Sequence, residues 1–148
     1  MRRLLVLCAL CVLASSASAQ LPGLRKRDSA PQQPVLTGID ALRADFLTRS
    51  GADTVYFGQD SAVLGVPARA TLNAQAQWIR QHPEVLVRVE GYGEPNDTRG
   101  HALAMGARRA QDVRDYLVLL GVPAAQLTTT SFGKERPGAP RAITVLVR

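Results

Sequence analysis

The sequence is poor in cysteine, histidine and aromatic residues, and it has no long hydrophobic run. Its two cysteines, Cys8 and Cys11, lie close to the N-terminus, and its two histidines are His82 and His101. A disulfide framework, a cysteine-ligated metal site and a catalytic Cys–His pair therefore lack the residues they need in the body of the chain. The longest apolar stretch, residues 4–14, is about half the length that spans a bilayer, which excludes a polytopic membrane protein.

The N-terminal segment has the pattern of a secretory signal peptide. Two arginines precede the apolar stretch, and the small residues at 14–19 follow it. This order predicts that residues 1–19 are a signal peptide cleaved before Gln20, so that the exported chain has no cysteine. A lipid anchor is the alternative, but leucine stands before each cysteine, where a lipoprotein signal carries a small residue.

The composition of residues 20–37 predicts a flexible leader. This segment holds three prolines and the basic triplet Arg25-Lys26-Arg27, and its apolar residues follow no helical or strand period. Residues 38–148 are predicted to form one domain, because no linker-like composition interrupts them.

Hydrophobic periodicity predicts an alternation of helices and strands within this domain. The predicted helices are 39–48, 68–81 and 103–120, and the predicted strands are 54–57, 85–90, 127–132 and 143–147. From Val55 onwards the order is strand, helix, strand, helix, strand, strand. This order describes an α+β fold, a two-layer sandwich in which two main helices pack on one face of a small mixed β-sheet.

The longest predicted helix has a stripe of apolar and small residues along one face. The stripe advances by three or four residues through Leu103, Gly106, Ala110, Val113, Leu117 and Leu120. Gly121 follows as a natural end of the helix. A glycine on a buried stripe costs about 1 kcal/mol of helix propensity, so Gly106 predicts a close approach of helix and sheet backbones.

The sequence contains few groups that are arranged for catalysis or metal binding. No serine lies in a G-x-S-x-G elbow. Glu90 and Glu94 are a possible glycosidase pair, but acidic residues at this density arise by chance. Glu94, Asp97 and His101 are a possible metal set, but one histidine with two carboxylates is a poor zinc site. We therefore predict no enzyme, no bound metal and no cofactor.

The basic charge balance does not by itself indicate a nucleic-acid partner. Lys and Arg number 18 against 12 Asp and Glu, which gives a formal net charge of +6. The arginines are spread along the chain, and the few aromatic residues do not alternate with them as they do on nucleic-acid surfaces. We predict no nucleic-acid partner and no transmembrane segment in the mature chain.

The polar loop between the second strand and the longest helix carries the most informative charges. Glu94 lies in this loop, and Arg108 and Arg109 lie about four turns later on the helix. A carboxylate and a guanidinium at one site can hold a zwitterion, since an ammonium needs an acceptor and a carboxylate suits the planar fork of arginine. The same pattern also occurs as an ordinary surface ion pair worth under about 1 kcal/mol. Both interpretations stay open on charge alone.

Several stretches of the chain, taken in order, resemble one known family. They include Val55-Tyr56-Phe57, Glu90-Gly91-Tyr92, Leu103-Ala104-Met105-Gly106-Ala107-Arg108-Arg109-Ala110, Ser131-Phe132-Gly133-Lys134-Glu135-Arg136-Pro137 and Arg141-Ala142-Ile143-Thr144-Val145-Leu146. With near-constant spacing from Phe46 to Leu146, the sequence resembles the OmpA C-terminal-like domain family, in particular its peptidoglycan-associated lipoprotein branch. The resemblance implies an OmpA-like sandwich.

The resemblance also implies a function and a binding site. It implies non-catalytic binding of peptidoglycan in the periplasm of Gram-negative bacteria, at the cell wall or outer membrane. The family's loop Asp and helix Arg, which grip the diaminopimelate of the stem peptide, fall on Glu94 and Arg109, fifteen residues apart. Tyr92, Asp97 and Arg141 complete the predicted ligand-binding set.

Three departures from the family pattern leave a second function open. Glu94 replaces the family's Asp, Ala102 replaces an Asn that braces the loop, and the loop between Pro137 and Arg141 is short. Ala102 and the short loop favour the alternative of a diverged protein–protein interaction domain that has lost glycan binding, whereas the acid retained at 94 and the arginine at 109 favour peptidoglycan binding. The partner of such an interaction domain would be a Tol-type or other envelope protein.

Overall fold

Three α-helices and four β-strands make up residues 38–147, the part of the chain that the computed structural model describes. The elements in chain order are α1 (Gly38–Ser50), β1 (Thr54–Tyr56), α2 (Val66–Gln81), β2 (Val87–Tyr92), α3 (Arg99–Leu119), β3 (Leu127–Gly133) and β4 (Arg141–Leu146). The predicted signal peptide and leader lie outside the described residues and stay predictions.

The four strands form one mixed sheet in the order β1-β4-β2-β3. Strand β2 pairs in parallel with β3 and antiparallel with β4, and β4 pairs antiparallel with the short edge strand β1. Helix α3 makes the crossover that a parallel pair requires, and it packs on β2 and β3. Helix α2 packs against α3 and β1. The predicted α+β sandwich is therefore confirmed.

The ends of α3 follow from local sequence. The Thr98 hydroxyl accepts a hydrogen bond from the backbone N–H of His101 at 3.3 Å, which caps the helix four residues earlier than the apolar stripe indicated. At the other end Gly121 has a φ of +89°. That left-handed conformation suits glycine and ends the helix, as predicted.

The core lies between the sheet and the helices. Its fully buried residues include Val87 and Val89 of β2, Leu72 and Ile79 of α2, and Val113 and Leu117 of α3. Alternation along β2 places Arg88, Glu90 and Tyr92 on the opposite, outer face of the sheet. None of the helices within residues 38–147 is both long and apolar enough to cross a bilayer.

The buried face of α3 differs from the predicted stripe at its first position. Leu103 is 50% exposed, and Ala102 is fully buried in its place. The cause is the close approach of two backbones, since a Cβ on Gly133 would lie 3.1 Å from the Cα of Leu103 and a Cβ on Gly93 would clash with the Ala102 carbonyl. The prediction for Leu103 was therefore wrong, because only a small side chain fits this end of the interface.

The predicted close packing at Gly106 is confirmed. A Cβ on this residue would lie 2.5 Å from the Ser131 hydroxyl oxygen and 2.8 Å from the carbonyl oxygen of Gly91. The contact is reciprocal, because a Cβ on Gly91 would clash with the Gly106 carbonyl. This seam joins α3 to β2 directly below the loop that carries Glu94.

Candidate ligand-binding site

Arg109 is a fully buried arginine at the centre of the site. Its Nε donates to the carbonyl of Ser61 at 2.8 Å, Nη1 donates to the carbonyl of Tyr92 at 2.8 Å, and Nη2 donates to the carbonyl of Gly58 at 3.3 Å. The two terminal nitrogens also donate to the carboxylate of Glu94, at 3.3 and 2.6 Å. These contacts use all five N–H donors of the guanidinium.

Glu94 is bound at the end of this guanidinium, and 8% of its surface is exposed to solvent. Its Oε1 accepts hydrogen bonds from Arg109 and from the backbone N–H of Asp60, the latter at 2.8 Å. The hydrogen bond from Arg109, with a further contribution from the Asp60 N–H, lowers the pKa of Glu94 although burial opposes the shift. The carboxylate is therefore ionised at neutral pH, and its Oε2 has capacity for a further donor.

The lowered pKa of Glu94 predicts an acid-sensitive contribution to stability. A carboxylate whose pKa is lowered by folding stabilises the fold at pH values above its unfolded pKa, about 4.5, and it loses that contribution as the pH falls through the lower pKa of the folded state. We expect Glu94→Gln to lower the free energy of unfolding by about 1 to 3 kcal/mol at neutral pH.

Urea unfolding of wild type and variant across this pH range would check the prediction. The difference between them should shrink as the pH falls below about 4. Glu84→Gln is the matched control, because Glu84 is exposed. A constant difference at all pH values would contradict the assigned role of the Glu94 charge.

Asp60 connects the loop before α2 with the loop before α3. Its backbone N–H binds Glu94, and its side chain contacts His101 Nε2 at 2.9 Å. Asp60 has a φ of +47°, a left-handed conformation that Asp tolerates better than most residues. The left-handed turn lets this single residue reach both neighbours.

A cavity of about 560 Å³ lies next to the exposed part of the Glu94 side chain. Its lining residues are Phe57, Gln59, Asp60, Glu94, Pro95, Asn96, Asp97, His101 and Pro140. Three of these side chains are carboxylates, and none is Lys or Arg. In a chain with a net charge of +6, the cavity is thus an acidic site that favours a cation.

The loop that carries Glu94 is braced without the family's Asn. Ala102 is fully buried under Gly93 and offers no side-chain hydrogen bond. The loop is instead held by Lys134, whose Nζ donates to the carbonyl of Asp97 at 2.6 Å, and by the Thr98 cap. Lys134 and Thr98 therefore hold the loop, whereas Ala102 contributes no side-chain hydrogen bond to it.

The structure brings together three of the five predicted ligand-binding residues. Glu94 and Asp97 line the cavity, and Arg109 lies beneath it. Tyr92 contributes its carbonyl to Arg109, but its side chain is buried on the outer face of the sheet. Arg141 stacks on that Tyr92 ring, with 4.2 Å from guanidinium carbon to ring centroid, and so also belongs to the outer face.

The acidic pair considered for glycoside cleavage is divided between two faces. Glu90 lies on the outer face, where it accepts hydrogen bonds from the Tyr92 hydroxyl at 2.7 Å and from Arg88 at 2.8 Å. Burial and the bond to Glu90 raise the pKa of Tyr92. Glu94 faces the cavity. Within residues 38–147, no group of three or more His, Cys, Asp or Glu side chains is arranged to hold a metal ion.

Asp60 and Phe57 also line the site, although their positions in the sequence do not predict it. Asp60 lies 34 residues before Glu94, and Arg109 reaches the carbonyls of Gly58 and Ser61 from about 50 residues away. The only sequence signal was the family-like stretch that starts at Val55. The role of this stretch is apparent only in the folded structure, in which the loop lies against α3.

The region that contains this site matches a known protein family. Residues 56–145, more than half of the chain, match the OmpA family. The chain belongs to the OmpA family. This OmpA family domain is similar to proteins named peptidoglycan-associated lipoprotein, so the predicted branch is also confirmed.

Two of these relatives show the extent of the similarity. The protein of Rhizobium meliloti (strain 1021) is 37% identical over 134 residues, which is 86% of this chain and 76% of the relative. The protein of Brucella melitensis biotype 1 is 38% identical over 133 residues, covering 86% of this chain and 79% of the relative.

Solved structures share the fold of this OmpA family domain. The crystal structure of the peptidoglycan-associated lipoprotein from Burkholderia pseudomallei is 34% identical, with a TM-score of 0.62, and the match covers 65% of this chain and 91% of that one. The C-terminal domain of Helicobacter pylori MotB is 21% identical, with a TM-score of 0.57 over 66% of this chain and 84% of that one. The MotB likeness concerns the fold alone.

Proposed function

We propose that this OmpA family domain binds peptidoglycan without catalysis, by accepting the side-chain ammonium of diaminopimelate in the stem peptide at Glu94. The observation that carries the proposal is an ionised, positioned carboxylate at the base of an acidic cavity in a basic protein. An ammonium in such a cavity donates charge-assisted hydrogen bonds to acceptors that are already held in place. Asp60 and Asp97 add negative charge around the same cavity.

The relatives support this choice of ligand and a location in the cell envelope. Relatives at 37% and 38% identity are named for association with peptidoglycan. A chain of this family that is exported would meet the cell wall in the periplasm. We accordingly propose a periplasmic protein that associates with the wall or the outer membrane.

Arg109 has a positioning role in this proposal. Its five N–H donors are used by Glu94 and three carbonyls, so none is free for a ligand carboxylate. Direct pairing of Arg109 with a stem-peptide carboxylate, as expected from the sequence, would require Glu94 to leave it. Arg109 therefore acts by fixing the direction and the ionised state of Glu94.

Sedimentation with purified sacculi tests the proposed function. We expect the wild-type domain to bind and Glu94→Gln to bind about tenfold more weakly, because the amide removes the negative charge that attracts the ammonium. The matched control Glu84→Gln, at an exposed position, should bind like wild type. Circular dichroism would establish that each variant is folded under the conditions used.

Wild-type protein that stays in the supernatant would contradict the proposal. The full use of the Arg109 donors would then favour the alternative, a protein–protein interaction domain that kept the buried pair for stability alone. Equal binding of wild type and Glu94→Gln would show that sacculi are bound at another surface.

A further inference from the structure

His101 stands at the mouth of the acidic cavity and contacts two of its carboxylates with one nitrogen. Its Nε2 lies 2.9 Å from Oδ1 of Asp60 and 3.5 Å from Oδ2 of Asp97. The imidazole is about half exposed and lines the same cavity as Glu94. One titratable group is thus shared between the loop before α2 and the loop before α3.

The charges around this imidazole come from both loops. Asp60 faces it from the loop before α2, and Asp97 and Glu94 face it from the loop before α3. Two neighbouring cations already have partners. Arg109 is paired with Glu94, and Lys134 donates to the backbone carbonyl of Asp97. Among the residues that line the cavity, the group that can acquire a positive charge is therefore the imidazole.

We propose that His101, when protonated, acts as an internal cation that competes with the ligand's ammonium for the carboxylates of Asp60 and Asp97. The inference rests on the proposed function, because it assigns a regulation to that same site. The imidazolium and the ammonium need the same acceptors. Protonation of His101 therefore weakens ligand binding, and ligand binding disfavours protonation of His101. Acidification thus lowers the affinity of the site, and the neutral imidazole leaves the cavity more negative.

The range of pH in which this competition operates follows from the same contacts. The hydrogen bond that the imidazole donates to Asp60, followed by the charge of Asp97, raises the pKa of His101 above its ordinary value. Between about pH 5.5 and pH 8 the side-chain amine of diaminopimelate stays protonated. Histidine is the group that changes charge in that interval.

Calorimetric titration with a soluble stem tripeptide whose N-terminus is acetylated, N-acetyl-L-Ala-γ-D-Glu-meso-diaminopimelate, tests the competition. We expect the dissociation constant of the wild-type protein to be about threefold higher at pH 5.5 than at pH 8, the scale of an exposed ion pair. His101→Gln should bind with nearly the same affinity at both pH values. His82→Gln is the matched control and should keep the pH dependence, because His82 stacks on Trp78 rather than lining the cavity.

NMR titration of the imidazole gives a second readout that a structural role would not produce. Reciprocity requires that saturation with the tripeptide lower the pKa of His101. A raised pKa on binding would overturn the inference, since it would mean that the imidazolium contacts a ligand carboxylate. A wild-type dissociation constant that is the same at both pH values, or a pH dependence that persists in His101→Gln, would also overturn it. Absence of binding at both pH values would overturn the proposed function itself.

Discussion

Arg109→Met is expected to destabilise the domain by about 3 to 5 kcal/mol, although methionine fills much of the same space. Removing the guanidinium takes a donor from the carbonyls of Gly58, Ser61 and Tyr92, and it leaves the Glu94 carboxylate without its paired positive charge. Breaking one partner of a buried ion pair costs this much because the other charge stays buried and uncompensated. Chemical denaturation at neutral pH would measure the loss.

The neighbouring residue provides a matched control for this prediction. Arg108 has the same side chain on the same helix but is exposed, so Arg108→Met should change stability by less than about 0.5 kcal/mol. Arg109→Lys should also be strongly destabilised, since an ammonium has three donors and cannot reproduce the planar fork. A stability of Arg109→Met within about 1 kcal/mol of wild type would contradict the buried network.

Gly106→Leu is expected to cost about 3 kcal/mol or more, and Gly106→Ala already about 1 to 3 kcal/mol. The added Cβ alone would lie 2.5 Å from the Ser131 hydroxyl oxygen and 2.8 Å from the Gly91 carbonyl oxygen. Strand β2 cannot retreat without disturbing its pairing with β3 and β4 on either side. Both substitutions should therefore lower the urea midpoint, and the larger side chain should lower it further.

Gly100→Ala is the control that separates packing from helix propensity. A Cβ at Gly100 would meet nothing within 4 Å, so this change in the first turn of α3 should be neutral or stabilising by up to about 1 kcal/mol. Equal stability of Gly106→Ala and wild type would show that α3 and β2 lie farther apart than the structure places them.

Much of the fold follows from hydrophobic spacing along the chain. Val87 and Val89 alternate with polar neighbours, and Ala110, Val113 and Leu117 keep a helical period, so β2 and α3 are both visible in the sequence. The start of α3 was harder to predict from the sequence. A large apolar residue at 103 looks like core, and its exposure depends on the backbone of Gly133, thirty positions later in the chain.

The site was predictable in its charges but not in their connections. The family resemblance placed Glu94 and Arg109 at one binding site, and the structure joins the two side chains to each other by two hydrogen bonds. It did not predict that three backbone carbonyls would use the rest of the guanidinium, because the carbonyls of Gly58 and Ser61 belong to a loop without a regular period. For the same reason the contacts of Asp60 with both Glu94 and His101 could not be predicted without the structure of the loop.

The most direct test of the proposed ligand site is an NMR map of the labelled domain with the diaminopimelate stem tripeptide. We predict that the backbone signals that shift most belong to Phe57, Gln59 and Asp60, to residues 94–97 and to His101, which line the acidic cavity. At a tripeptide concentration near the wild-type dissociation constant, these shifts should be strongly reduced in Glu94→Gln. Shifts centred instead on Arg141 and its neighbours on the outer face of the sheet, or a saturable map unchanged in Glu94→Gln, would contradict the assignment of the site.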